Sequence, residues 1–132
     1  MTIYKTISAV EPVDAISSGS YGDNAVGTAY ETVMRARLES GIYEDLTFAY
    51  FVEKCRTTNQ PEVRDSHIVM ERIETLHFTD PDDPGGSEVD CDYEYGEGSV
   101  FFYDDLADAE REARTQADWV RDYFEDMKGE MS

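Results

Sequence analysis

The sequence predicts an α+β domain, an antiparallel sheet of about four to five strands with two helices packed on one face. Two observations favour this class. Several segments rich in β-branched and aromatic residues alternate apolar and polar side chains, as half-buried strands do. Two other segments repeat apolar residues at steps of three and four, as amphipathic helices do. The predicted order is β-α-β-β-β-β-α, and residues 1–132 have the usual length of a single domain.

The first half of the chain contains the first predicted strand and the first predicted helix. Residues 2–10 are β-formers throughout, and Pro, Gly and Ser make residues 11–23 a loop. A helix is predicted from Asn24, which suits an N-cap, to Gly41, which suits a C-terminal stop. It rests on apolar side chains at three- and four-residue spacing, namely Val26, Tyr30, Val33, Met34 and Leu38.

Two strands are predicted in the middle of the chain. Residues 46–55 alternate, with Phe51 on one face and four apolar side chains on the other. Residues 66–78 fit a strand and also a helical stripe, and their β-branched content favours the strand. The shared faces are Leu46, Phe48, Tyr50 and Val52 in the first segment and Ile68, Met70, Leu76 and Phe78 in the second.

A hairpin and a long helix are predicted in the last third. Residues 88–95 and 99–103 read as two strands joined across residues 96–98, and a loop of either two or three residues leaves their register open. The helix begins at a cap formed by Asp104 or Asp105 and ends at Gly129. The small side chains in the first half of the helix would let it lie close to a sheet. Its apolar positions are Leu106, Ala109, Ala113, Ala117, Val120, Phe124 and Met127.

Trp119 and Tyr123 lie one turn apart on the flank of this apolar stripe. They would either cover the margin of the core or present an aromatic anchor to a partner, and the margin is the favoured interpretation.

The charge is strongly acidic and unevenly placed. The formal net charge is −19 and the sequence pI is near 4.1. Residues 1–66 hold ten acids and six bases, a net of −4, whereas residues 67–132 hold twenty acids and five bases, a net of −15. Such a balance disfavours nucleic acid and anionic membranes as direct partners, because both attract Lys and Arg. A basic protein surface is the expected partner.

The acids concentrate in residues 80–110, which contain twelve carboxylates and no Lys or Arg. On a strand, alternate residues lie on one face at ~6.8 Å spacing, so the acids of residues 88–95 would form a linear row. This row and its acidic neighbours are the candidate partner-binding residues. They are Asp82, Asp83, Glu88, Asp90, Asp92, Glu94, Glu97, Asp105, Asp108 and Glu112.

No pattern in the sequence indicates catalysis, a metal or a cofactor. The acids after Asp80 lack the closing Glu of an EF-hand loop. His67 and His77 do not have zinc-ligand spacing to a cysteine. Phosphate-binding and nucleophile motifs are also missing. We therefore predict a protein that is not an enzyme, with no metal and no cofactor.

The expected location is the cytoplasm. The first residues lack a basic region followed by a long apolar run, and no run approaches the ~20 apolar residues of a membrane helix. Cys55 and Cys91 are far apart in the sequence, and we expect free thiols.

The leading functional hypothesis is an inhibitor that occupies a basic nucleic-acid-binding groove of another protein. In bulk character the chain resembles the DNA-mimic inhibitors of phages and mobile elements, including anti-restriction and anti-CRISPR proteins. That resemblance covers size and acidity alone. The alternatives are a haloadapted housekeeping domain and an antitoxin-like partner of one basic protein without mimicry.

Overall fold

The fold is known from a computed structural model. It describes residues 4–11, 13–57, 64–83, 88–95 and 103–131, and for residues 55–57, 64–65, 88–95 and 131 it describes the backbone alone. This part of the chain contains β1 (Tyr4–Val10), β2 (Asp14–Ser17), a 3-10 turn (Ser18–Tyr21), β3 (Ala25–Leu38), β4 (Tyr43–Thr57), β5 (Arg64–Phe78), β6 (Glu88–Tyr95) and α1 (Leu106–Met131).

All of these strands belong to one antiparallel sheet in the order β1-β3-β4-β5-β6, in which β2 also pairs with β3. β1 lies against residues 34–38 of β3, and β2 lies against residues 28–31. Between them the Glu11 amide donates to the Val33 carbonyl at 2.8 Å. β1 and β2 therefore form one interrupted edge, and the sheet is five strand positions wide. α1 packs on one face, so the predicted α+β class is confirmed.

The helix predicted over residues 24–41 is wrong, because this segment forms β3 and α1 is the single α-helix of the described residues. The physical reason is a register shift near the start of β3. Val26 pairs with Val52. Tyr30 pairs with Tyr50, so four steps along β3 match two steps along β4. Val26 and Tyr30 both pack against the core beneath α1, and their four-residue spacing imitates a helical repeat.

The other predicted strands are confirmed where the structure describes them. β1, β4, β5 and β6 cover the predicted segments, and residues 66–78 are a strand and not a helix. The predicted apolar face of β4 packs under α1, while Phe51 lies in a cluster on the opposite face. In β5 the predicted face is the one away from α1, since Met70 packs against the Phe51 cluster.

The predicted hairpin after β6 is wrong at Tyr103, the last residue of its second strand. Tyr103 pairs with His67 of β5 through two backbone hydrogen bonds of 2.9 Å. A hairpin loop of three residues would instead place Tyr103 opposite Cys91, which pairs with Leu76. His67 and Leu76 are nine residues apart on β5, roughly 30 Å of strand. The rest of the predicted second strand, including Glu97, lies outside the described residues.

The core between α1 and the sheet is built on small side chains of the helix. Ala109, Ala113 and Ala117 are fully buried and pack against Val52 and Val69. The second half of α1 buries Phe124 in a separate cluster with side chains of β1 and β3. The predicted close approach of the first half of the helix to the sheet is confirmed, and the helix continues past Gly129 to Met131.

The face of the sheet away from α1 carries a smaller apolar cluster. Ala25, Ala29 and Phe51 are buried there, and the 3-10 turn after β2 covers them with Tyr21. The Tyr21 and Phe51 rings stack with centroids 4.6 Å apart. Both faces of the sheet are therefore partly covered, one by a helix and one by a short turn.

The two cysteine backbones are far apart in the sheet. Cys55 pairs with Ser66 and Cys91 pairs with Leu76, ten residues further along β5. This separation is roughly 34 Å of strand, and a disulfide needs Cα atoms within about 7 Å. The register therefore excludes a disulfide between them within one chain.

α1 is 26 residues long, but charged side chains recur along it. In the residues that the structure describes, no helix combines the length and the apolar character needed to cross a membrane.

Gly27→Ala is expected to destabilise the fold by about 1–3 kcal/mol. Gly27 has a φ of 78°, in the left-handed region, at the register shift of β3. A Cβ there would lie 2.9 Å from the Glu110 side chain and 3.0 Å from Leu106. Urea unfolding measures the loss.

The matched control is Gly129→Ala, whose added methyl group would meet nothing within 4 Å. It should preserve the unfolding midpoint or raise it slightly, because Ala is the better helix former. Equal midpoints for Gly27→Ala and the parent protein would contradict a strained position at Gly27.

Candidate anionic binding edge

β6 carries the predicted acidic row at the outer edge of the sheet. It pairs with β5 on one side, and no described strand pairs with its other side. The register sets Asp90, Asp92 and Glu94 opposite alternate residues of β5, namely His77, Thr75 and Ile73. A register shift between His77 and Phe78 puts Glu88 opposite Phe78, outside this alternation. Strand geometry spaces alternate positions by ~6.8 Å. The backbone thus supports a linear row of three positions with Glu88 beyond the shift, and the side chains of β6 lie outside the description.

The turn after β5 adds exposed acids at the end of the sheet where β6 begins. Asp82 and Asp83 are both exposed. The Asp80 carboxylate accepts a hydrogen bond from the Asp82 amide at 2.9 Å, and the Asp80 carbonyl accepts one from the Asp83 amide at 3.2 Å. This local bonding organises the turn. We call Asp82, Asp83, Glu88, Asp90, Asp92 and Glu94 the acidic edge.

Arg35 of β3 holds this turn against the sheet. Its guanidinium donates to the Pro81 carbonyl at 3.2 Å and makes a two-pronged ion pair with Asp45 at 2.8 and 2.9 Å. It also lies 5.0 Å from the centre of the Phe78 ring. The hydrogen bond to Asp45 raises the pKa of Arg35. The turn is therefore anchored through its backbone carbonyl, and the cation is shared with Asp45.

The acids predicted at the start of α1 form a second group, which we call the helix-start cluster (Asp105, Asp108 and Glu112). Asp105 and Asp108 are exposed, and Glu112 is half-buried. Arg111 lies 3.4 Å from the Asp108 carboxylate, and Gln116 donates to Glu112 at 3.1 Å. This cluster is thus partly neutralised by a neighbour on its own helix.

The two groups lie at opposite ends of β5. The acidic edge begins beyond Phe78, whereas the helix-start cluster follows Tyr103, which pairs with His67. His67 is eleven residues from Phe78, roughly 37 Å of strand, and six residues from Ile73, which lies opposite Glu94, roughly 20 Å. The structure therefore does not bring all of the predicted residues into one patch. It keeps Asp82 and Asp83 with the start of the β6 row.

Further along α1, acids alternate with arginines that contact them. Arg114 lies 3.9 Å from Asp118, and Arg121 lies 4.0 Å from Asp118 and 3.5 Å from Asp122. Exposed pairs of this kind contribute about 0–1 kcal/mol each to stability. Their consequence here is electrostatic, because they reduce the net charge of the middle of the helix.

Sequence reasoning missed a buried carboxylate, Glu44 of β4. The residue is 4% exposed and accepts a hydrogen bond from the Tyr4 hydroxyl at 2.7 Å, while the His77 ring nitrogen lies 2.6 Å from its other oxygen. Glu44 lies two positions before Leu46 and so continues the face under α1. The strand alternation would have placed it there had the strand been extended toward the N-terminus.

Tyrosine hydroxyls bind carboxylates at three places in the sheet. Besides Tyr4 with Glu44, Tyr50 donates to Glu71 at 2.5 Å and Tyr21 donates to Glu31. Burial, strengthened by the hydrogen bond to the carboxylate, raises the pKa of each tyrosine. Part of the acidity of the chain therefore serves the fold itself.

The described residues do not bring three His, Cys, Asp or Glu side chains into one metal-binding group. His67 and His77 lie ten residues apart on β5, so they belong to different parts of the sheet. What the arrangement offers is negative potential along an edge and an exposed turn.

Comparisons with protein-family models, with curated proteins and with solved structures find no match for this chain. Its function has to be inferred from its surface chemistry.

The stability of the parent protein is expected to fall as the pH rises above about 10. Tyrosines of the unfolded chain ionise near pH ~10, whereas the raised pKa of Tyr50 keeps it neutral to higher pH in the folded state. The unfolded state then binds fewer protons than the folded state. Each such tyrosine lowers the free energy of unfolding by up to about 1.4 kcal/mol per pH unit.

Tyr50→Phe should make this slope shallower. Urea unfolding between pH 7 and pH 11.5 measures this slope. Below pH 9 the free energies of unfolding of the two proteins should change with pH in the same way, which serves as the internal control. Identical slopes above pH 10 would show that the Tyr50 hydroxyl has no such linkage to folding.

Proposed function

We propose that this protein binds a basic surface of another protein through its acidic edge, and that the surface is a groove which otherwise holds nucleic acid. The observation that carries the proposal is the position of β6. It forms one of the two edges of the described sheet, and it belongs to a stretch, residues 80–110, that contains twelve carboxylates and no Lys or Arg.

An edge strand is a suitable place for such a surface. The backbone N–H and C=O groups on its outer side face away from the sheet, and charged residues on such a strand also prevent edge-to-edge aggregation. Lining up four acids raises self-repulsion, which disfavours the compact state. A basic partner relieves that repulsion, so the same residues that cost folding free energy would supply steering and binding energy.

The spacing of the row suits a groove that neutralises phosphates. Proteins bind nucleic-acid backbones with Lys and Arg placed to meet successive negative charges. Acids every ~6.8 Å along a strand, as at Asp90, Asp92 and Glu94, present a comparable series of charges. The exposed Asp82 and Asp83 extend the series beyond the start of β6. The target class is therefore a nucleic-acid-binding protein, and nucleic acid itself would be repelled.

A second candidate function is a housekeeping domain adapted to high salt. The observation that favours it is the separation of the acidic edge from the helix-start cluster by roughly 20 to 37 Å along β5. The use of three Lys against eight Arg agrees with it. A third candidate, an antitoxin-like partner of one basic protein, would use the acidic edge without competing with nucleic acid.

Reversing two charges of the row, with Asp90→Lys and Asp92→Lys, is expected to weaken capture of the partner by about tenfold or more. The measurement is recovery of bound protein from a lysate at low salt, followed by release with DNA or RNA. Release by nucleic acid is expected for a mimic, whereas release by salt alone favours the antitoxin-like candidate.

The matched control applies the same charge change at Asp14→Lys and Asp23→Lys. Both residues are exposed, and Asp14 lies at the opposite edge of the sheet in β2. The control variant should recover as much partner protein from the lysate as the parent protein does. If the two double variants lose partner capture equally, the cause is the change in net charge and not the acidic edge.

Removing salt separates the first two candidates. At about 10 mM salt the screening length is ~30 Å, so repulsion acts across much of the domain. We expect the protein to keep its circular dichroism spectrum and its melting transition under these conditions. Unfolding on dilution from molar to millimolar salt would support adaptation to high salt instead.

A further inference from the structure

A shallow apolar groove lies between α1 and β4. It is lined by Phe48, Trp119, Val120, Tyr123 and Phe124 and has a volume of about 300 Å³. Trp119 is 64% exposed and Tyr123 is 63% exposed, and these two are the exposed large hydrophobic side chains of the described residues. The sequence favoured a cover for the core margin, whereas their exposure favours a surface available to a partner.

The base of the groove is formed by packed aromatic side chains. Phe124 is buried and meets the Phe48 ring edge-on, with centroids 5.5 Å apart and an interplanar angle of 61°. Tyr123 leans on Phe124 with centroids 5.9 Å apart. Tyr123 therefore contacts a core side chain, and Trp119 lines the same groove. A preorganised base of packed side chains lowers the entropy cost of binding an apolar side chain.

Carboxylates border the exposed rings. Asp122 and Asp126 each follow one of the rings by three residues, so they are its neighbours on the helix surface. Both are exposed, and Arg121 lies 3.5 Å from Asp122. The border of this apolar groove is thus mainly anionic.

We propose that the groove binds an amphipathic segment of a partner protein, one that combines large apolar side chains with Lys or Arg. The apolar side chains would lie on Phe48, Trp119 and Tyr123, and the cations would face Asp122 and Asp126. Aromatic anchors bordered by charge are typical of binding hot spots.

Charge decides between this occupant and two others. A second copy would bring another chain of net charge −19 against the same border and repel it. A nucleic acid could stack bases on Trp119, but its phosphates would lie beside Asp122 and Asp126. A cationic amphipathic segment satisfies both the apolar floor and the anionic border, and it does not depend on the function proposed for the acidic edge.

Trp119 is the single tryptophan of the chain, so its fluorescence reports on this groove alone. The probe is a synthetic 18-residue Leu/Lys peptide that forms an amphipathic helix. We expect a saturable blue shift of the emission. A Leu/Glu peptide and a Lys/Ser peptide of equal length should each bind at least about tenfold more weakly, because one lacks the charge and the other the apolar face.

Tyr123→Ala keeps the reporter and should weaken binding of the Leu/Lys peptide about tenfold. Ala107→Ser, an exposed neutral position on the same helix, is its control and should bind as the parent does. Asp122→Asn with Asp126→Asn should weaken binding more than Asp14→Asn with Asp23→Asn, which removes the same charge elsewhere. Circular dichroism verifies that each variant is folded.

Three results would overturn the proposal: equal binding of the Lys/Ser peptide, equal binding of the Leu/Glu peptide, or a blue shift that grows with protein concentration in the absence of peptide. The last result would assign the groove to a second copy. Tyr123→Ala changes no charge and should still capture the partner of the acidic edge from a lysate, so failure of the function proposed above and failure of the groove are distinguishable.

Discussion

The close approach of α1 to the sheet is the constraint on which the rest of the structure depends. Fully buried alanines bring the helix backbone near β3, and the Thr32 hydroxyl donates to the Ala117 carbonyl at 3.1 Å across the interface. One turn from the start of the helix, the Glu110 carboxylate accepts from the Thr28 amide at 3.1 Å. These two bonds fix how far α1 lies along the sheet. Buried polar groups that are satisfied in this way specify one packing arrangement, because a shifted helix would leave them without partners.

The register shift in β3 and the helix contact belong together. At Gly27 the chain adopts a positive φ, and the space that a side chain would fill is occupied by Glu110 and Leu106. The amide of the next residue, Thr28, is bonded to the helix. The irregular stretch of the strand is thus the place where α1 is attached, and the regular stretch beyond it supplies the buried alternation of Thr32, Met34 and Ala36.

The carboxylates of this chain have at least three different physical roles, and net charge alone does not separate them. Some accept hydrogen bonds from tyrosines inside the sheet, as Glu44 and Glu71 do. Others lie beside arginines on α1. The acids of the turn and of β6 form the third class, in a stretch of sequence without basic residues. This third class carries the proposed function, while the aromatic groove beside α1 adds an apolar surface near the second class.

The sequence by itself determined the acidity, its concentration in the second half, the strands β4 and β6, and a final helix with a small-residue stripe, because charge and periodicity are local properties. For β5 it favoured a strand without excluding a helix. Only the tertiary structure decided that residues 25–38 form a strand, that Tyr103 pairs with β5, and that two acidic groups lie at opposite ends of that strand. Each depends on contacts between residues distant in sequence. The four-residue spacing of Val26 and Tyr30 fits a helix equally well until the pairing with β4 and the packing of α1 select the strand.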